Sequence, residues 1–272
     1  MVEYLRSHDV SVQYVFWQRD HQQMRAFLVH TNEGMSDWFD RQWAAANDRA
    51  DEIFDPERHD AGLAAELFEQ ATDVWPEDFF LQLSAAVVKD AVTLYELFLE
   101  SLADEVLSNY GVRLATTQAE KTWRWDDCVA FYDSYLGVDV ATARIQAARW
   151  IRHKMTHQRS EIRTPAGRVE FEQHLAAMHL DDVKTDGTYV ALADHKPYFT
   201  RGVELTQGQT LRILDIIADE VASVAAAAFP FTHGNSSSIP LLALREGASI
   251  RVKGFPDKLL RFSDGGPVPP RS

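Results

Sequence analysis

Between Arg144 and Arg159 the chain reads Arg144-Ile-Gln-Ala-Ala-Arg149-Trp-Ile-Arg152-His153-Lys154-Met-Thr-His157-Gln-Arg159, with five basic side chains, two histidines and no acid. The whole chain carries a formal net charge of -14. A positive island on so acidic a background suits an anion, phosphate above all. Inside it, Arg152-His153-x-x-x-His157 sets a permanent cation beside imidazoles that exchange protons near neutral pH. A guanidinium can hold phosphate oxygens and stabilise developing charge, and an imidazole can move the proton. Together they could work on a phosphodiester without a metal.

Spacing alone says little. With 20 Arg and 10 His in 272 residues, roughly 0.7 such pairs arise by chance, so context must decide. Arg25-Ala-Phe-Leu-Val-His30 fits the same pattern amid apolar neighbours and reads as a decoy. In the second copy His153 directly follows Arg152, and His153 and His157 lie four apart, on one helix face. Arg152 can reach round from one turn earlier. The end of a helix also favours protonated His157 through the dipole. The bland alternative is a basic last turn that complements that dipole and does nothing more.

Other candidates are weaker. His153 and His157 have the spacing of metal ligands, but Arg149, Arg152 and Lys154 would repel a cation, so no metal is assigned. His174 and His179 read as surface or cap residues. Cys128, the only cysteine, reads as a small buried hydrophobe and excludes a disulfide framework. No glycine pattern cradles a phosphate, and no cofactor is assigned.

The elements that must position these groups are helical. The first 50 or so residues read as a long helix carrying Val15, Phe16, Met24, Phe27, Leu28, Met35, Trp38, Phe39 and Trp43, with a break at Asn32-Glu33-Gly34. A short helix is expected over Ala61 to Ala71. The strongest pattern runs from Pro76 to Asn109 through Leu83, Val87, Ala91, Leu94, Phe98, Leu102 and Val106, and Gly111 follows it. Trp123 to Leu136 reads as a shorter aromatic helix closed by Gly137. Asp139 is the expected N-cap of the helix that carries Val140, Ala143, Ala147, Trp150, Ile151 and Met155 and ends near His157 to Ser160. Thr164-Pro-Ala-Gly167 reads as loop and Phe171 to Leu180 as a helix. A β-hairpin is expected over about 188–205, and Thr206 caps a final helix along Leu211, Leu214, Ile217, Ala218, Val221, Val224, Ala225 and Ala228. The tail shows a strand-like Ser249-Ile-Arg-Val-Lys. The expectation is an all-α bundle with a hairpin insertion, divided into an N-terminal helical extension (1–75) packed on the core, a core (76–230) and an irregular tail (231–272).

Composition sets outer bounds. At 46% hydrophobic the chain can bury a large core. No apolar run approaches the about 20 residues that span a bilayer, and the N-terminus lacks a basic-then-apolar leader, so a soluble, cytoplasmic protein is expected. The acidic balance disfavours a broad duplex-coating DNA binder but leaves room for a small focused site.

Trp150-Ile-Arg152-His153-Lys-Met-Thr-His157 resembles the signature of the HEPN superfamily: Arg, then Asn, Asp or His, then three variable residues and His near the end of a helix in an all-α bundle. The helix bearing Val92-Thr-Leu-Tyr-Glu96-Leu-Phe-Leu-Glu100 resembles that family's upstream core helix. The likeness spans about residues 78 to 229. It implies a metal-independent endoribonuclease, a toxin or phage-defence effector, that cuts single-stranded RNA by 2′-hydroxyl attack and leaves a 2′,3′-cyclic phosphate. By the same resemblance His157 would be the general acid/base, Arg152 would hold the phosphate, and His153 would orient the pair. Arg144, Arg149, Lys154 and Arg159 would bind substrate, with Glu96 or Glu100 as acidic partner. A homodimer is expected whose axis passes near His157, with both Arg152 side chains facing one cleft and Trp150 near the interface. An antitoxin or regulatory protein would be a further partner. The alternative is a non-catalytic HEPN-like module that binds a protein or nucleotide.

Overall fold

The computed structural model describes residues 10–115, 123–157, 162, 164–180, 203, 205–232, 249–251 and 259–264. Helices α1 (Val12–Ile53), α2 (Leu63–Thr72), α3 (Pro76–Asn109), α4 (Trp125–Phe131), α5 (Ala143–His157), α6 (Pro165–Ala177) and α7 (Gln207–Thr232) build an all-α bundle. Strands β1 (Val112–Ala115), β2 (Ser249–Arg251) and β3 (Leu259–Asp264) form a small antiparallel sheet in the order β1-β3-β2.

Helix α3 is the axis of the fold, packing against α1, α5 and α7. Its apolar positions run on steps of three and four, so Val88, Tyr95, Leu99, Leu102 and Val106 are all shut away from solvent. Pro76 occupies the first turn, where its missing N–H costs nothing. Beyond the last turn Gly111 takes φ 69°, a left-handed step that an L side chain resists.

Helix α1 runs unbroken through Asn32-Glu33-Gly34, because solvent-facing Gly34 only weakens a helix that packing on both sides secures. Its buried stripe is also narrower than expected. Trp17 and Leu28 enter the main core, whereas their neighbours Phe16 and Phe27 stay half exposed. Adjacent helical residues point about 100° apart, so only one of each pair can face α3. Farther along, Phe39 and Ala46 join Phe68 of α2 in a separate cluster capped by Trp38, Trp75, Phe79 and Phe80. The N-terminal half of α1 is thus part of the bundle itself.

His21 sits in the same buried stripe. Its Nε2–H donates to the Leu214 carbonyl of α7 at 3.1 Å, and its ring stacks on Trp17 at 4.6 Å. Burial lowers its pKa, Arg25 adds to this, and the Leu214 bond and Asp215 oppose it. The folded chain therefore favours the neutral ring, while the unfolded chain takes up the proton first as pH falls. Stability from this site is complete above the ordinary histidine value of about 6.5 and declines as pH drops below it. The urea midpoint should fall from pH 7.5 to 5.5 by more in the parent than in His21→Gln; equal falls would refute the assignment.

Three boundaries differ from the sequence expectation. Trp123 to Leu136 is not one helix, since α4 passes into a π-helical turn at Tyr132–Leu136 that ends on Gly137 at φ 65°. Asp139 is not the N-cap of α5. Its carboxylate accepts from the Ala141 N–H at 2.8 Å, and Thr142 Oγ1 caps the helix by accepting from Ile145 N at 3.3 Å. Thr164-Pro-Ala-Gly167 is the start of α6 rather than loop, with Thr164 Oγ1 accepting from Gly167 N at 3.0 Å and Pro165 in the first turn. The same Thr-Pro pair that breaks a preceding element can open the next one.

Helix α7 begins as expected on Thr206. Its Oγ1 accepts from Gln209 N at 3.2 Å while Gln209 Oε1 accepts from Thr206 N at 2.8 Å, a reciprocal cap. The helix continues through Pro230, and Asn109 Nδ2 donates to the Phe231 carbonyl at 2.6 Å, tying it to the end of α3. The expected hairpin over 188–205 lies outside the described residues, apart from Val203 and Leu205, which are buried. The tail is not wholly irregular: β3 lies between β1 and β2, with Val112 opposite Asp264 and Ser249 opposite Arg261. The strand-like reading at Ser249 matches β2, whereas β1 and β3 pair across a distance in sequence that leaves no local periodic signal.

Candidate active site at the end of helix α5

Two tyrosine bonds set the approach to α5. Tyr95 Oη donates to the Val140 carbonyl at 2.9 Å and Tyr132 Oη to the Leu99 carbonyl at 2.8 Å. Both rings are fully enclosed, and burial raises both phenol pKa values far above the ordinary range, so they remain donors. Val140 is thereby buried just ahead of α5 and locks its start against α3. Along the helix Ile145, Ala148, Ile151 and Met155 face the core, which leaves the arginines on its shoulders.

Those arginines meet acids supplied by other helices. Arg144 Nη2 lies 2.7 Å from Glu220 Oε1 of α7, a carboxylate buried beneath it. Arg149 Nε donates to Glu96 Oε1 at 2.8 Å, and Arg152 Nη1 donates to Glu96 Oε2 at 2.7 Å. Arg149 also lies 3.7 Å above the Trp125 ring of α4, a cation–π contact. One carboxylate thus orients two guanidiniums, leaving one formal positive charge unbalanced within the trio. Three arginines of the island are therefore ion-paired, because helix packing brings in acids that are remote along the chain.

Glu96 is the acid at Arg152; Glu100 is not. Glu100 lies one turn along α3, and burial, then Asp104 and Glu96, raise its pKa.

The exposed side of α5 forms one wall of a cleft of about 520 Å³. Arg149, Trp150, Arg152 and His153 line it from α5, and Glu170 and His174 from α6; Gln146 and Thr156 complete the α5 wall. Trp150 stacks on Phe171 at 5.7 Å and lies 4.9 Å from His174, while Lys154 Nζ sits 4.8 Å over its ring. Expected at a subunit interface, Trp150 is already half buried against α6 of its own chain. His174, read as a surface or cap residue, instead lines the cleft. Burial lowers its pKa, with Glu170 pulling the other way from 4.0 Å. His179 follows Met178, the C-cap of α6, and takes the left-handed region at φ 55°.

His157 closes α5, one helical turn beyond His153; its side chain and Arg159 lie outside the described residues. In the Arg25–His30 pair, Arg25 binds Asp215 on α7, while His30 is solvent-exposed beside Glu33. Cys128 is buried, and burial drives its thiol pKa far up, which removes it as a nucleophile. Among the described residues no helix is long and apolar enough to cross a membrane, and no three His, Cys, Asp or Glu side chains converge as a metal site would need.

Glu170 and His174 were beyond sequence reasoning, because nothing local marks α6 as the opposite wall. Their i,i+4 spacing was the only signal, and it is common on any helix. No protein-family model matches the chain, and neither does any curated protein or solved structure.

Proposed function

We propose that this protein is a metal-independent endoribonuclease of HEPN type, a toxin or defence effector that cuts single-stranded RNA. The observation that carries the reading is Arg152, held by Glu96 at 2.7 Å while lining a cleft beside His153. A guanidinium fixed by a carboxylate is pre-set to receive phosphate oxygens and loses little freedom when it does so. In this reading His157 takes the ribose 2′-proton, the 2′-oxygen attacks phosphorus, and the 5′-oxygen leaves with a proton from a second acid. The product is a 2′,3′-cyclic phosphate. In-line displacement needs base and acid on opposite sides of phosphorus, which a two-fold dimer supplies by doubling His157.

One observation favours the second reading, a non-catalytic module that binds a partner or nucleotide. Arg144, Arg149 and Arg152 are all engaged by carboxylates, so the surface offers less net positive charge to RNA than the sequence suggests. Both readings meet in a single assay. Purified protein, sedimenting as a dimer, should cut end-labelled single-stranded RNA in EDTA. A strict monomer that binds RNA or nucleotide but leaves every phosphodiester intact would establish the module instead.

A further inference from the structure

The two walls of the cleft carry opposite chemistry. Arg149, Arg152 and His153 on α5 suit a phosphate, whereas α6 presents the Glu170 carboxylate beside His174. A ligand that fills both must be anionic at one end and a hydrogen-bond donor at the other, with a flat body between. We propose that this cleft is a guanine-nucleotide subsite, with the phosphate on Arg152 and His153, the base against His174 and Trp150, and the guanine N1–H and N2 amino group on Glu170. The inference deepens the ribonuclease reading of the same site by naming the base beside the scissile phosphate.

The chemistry of the bases makes the choice. An ionised carboxylate only accepts, through two oxygens side by side. Guanine alone among the four RNA bases presents two adjacent donors on its pairing edge, so it alone can engage both oxygens. Adenine and cytosine place a ring-nitrogen acceptor next to their amino group. Uracil flanks its single N–H with carbonyls, which a carboxylate repels. The volume of about 520 Å³ falls in the ordinary range for small-ligand clefts. The flat surface is held by its neighbours: Trp150 stacks on Phe171 at 5.7 Å, His174 lies against it at 4.9 Å, and Lys154 Nζ, 4.8 Å over the Trp150 ring, must swing aside where a base stacks on that face. Burial, by lowering the His174 pKa, keeps that ring neutral at neutral pH and available for stacking. Glu170 is half exposed, so its substitution removes no core contact.

Calorimetric titration of the intact chain with GMP, IMP, AMP, CMP and UMP in EDTA at pH 7.5 tests the assignment. GMP should bind about tenfold more tightly than UMP or AMP, the discrimination expected of one bidentate pair, and IMP, lacking the N2 amino group, should fall between. Glu170→Gln should erase the guanine preference by weakening GMP and relieving UMP of the carboxylate's repulsion, and Arg152→Ala should weaken all five alike. Equal affinity for the five nucleotides, binding of none, or a guanine preference that survives Glu170→Gln would overturn the proposal. Guanine-selective binding without RNA cleavage would remove the ribonuclease reading and leave the subsite standing. RNA cleavage indifferent to Glu170→Gln would do the reverse.

Discussion

Arg152→Ala is expected to slow RNA cleavage by about 10²- to 10³-fold, the usual cost of deleting one preorganised group that stabilises developing charge. His157→Ala should cost about 10²- to 10⁴-fold, as for a lost general acid/base. The Arg152→Ala variant should unfold at a denaturant concentration close to the parent, because Arg152 stands off the apolar stripe of α5 and Glu96 keeps Arg149 as a partner. Arg152→Lys should recover little, since an ammonium cannot keep the Glu96 bond and hold phosphate in the same fork geometry. Glu96→Ala separates positioning from chemistry. It releases Arg149 and Arg152 together, so it should lower activity less than Arg152→Ala while raising salt sensitivity. Single-turnover rates on one labelled RNA, across all four variants, check the order. Parent-like cleavage by Arg152→Ala would remove the site.

The second large effect is on stability. Phe131 is fully buried at the end of α4, ringed by Trp123 at 5.4 Å, Tyr132 at 5.5 Å and Tyr135 at 5.7 Å. Removing the ring leaves a cavity that three rigid aromatics and the π-helical turn cannot close, so Phe131→Ala should cost about 3–5 kcal/mol. Phe131→Leu fills most of that space and should cost much less. Urea unfolding followed by far-ultraviolet dichroism distinguishes the two, and equal midpoints would refute the packing argument. Function should follow stability here, because α4 also carries Trp125, on which Arg149 rests before sharing Glu96 with Arg152.

The reach of the sequence depended on the range of the interaction concerned. Helix α3 was legible end to end because its signals are local: Pro76 at the start, a three-and-four repeat, and Gly111 after it. The cap of α7 was legible for the same reason. At Asp139 and Thr164 the residue types were right for capping, but several neighbours could play each role. Only the hydrogen bonds made by Thr142 and Thr164 decide between them. The stripe of α1 was overread because Phe16 and Trp17, or Phe27 and Leu28, look alike until a partner helix selects one.

The same limit explains the site. Arg152, His153 and His157 are close in sequence, and Glu96 could be named because the family likeness placed its helix nearby. Glu220, Glu170 and His174 come from segments that meet α5 only after folding, so the basic island looked bare. The β1–β3 pairing was hidden in the same way, since β1 finds β3 across nearly 150 residues of chain, whereas the strand at Ser249 was legible locally.

In the proposed mechanism the Arg152–His157 end of α5 directs a ribose 2′-hydroxyl onto its own phosphate. The most direct measurement uses an end-labelled RNA cut in EDTA, resynthesised with a single 2′-deoxy residue on the 5′ side of the mapped cut. Cleavage should vanish at that bond and persist elsewhere, and the upstream fragments from the all-ribose strand should end in 2′,3′-cyclic phosphate. The Arg152→Ala protein should yield neither fragment at comparable times. Cutting at the deoxy position, or fragments ending in a 3′-hydroxyl, would rule this mechanism out.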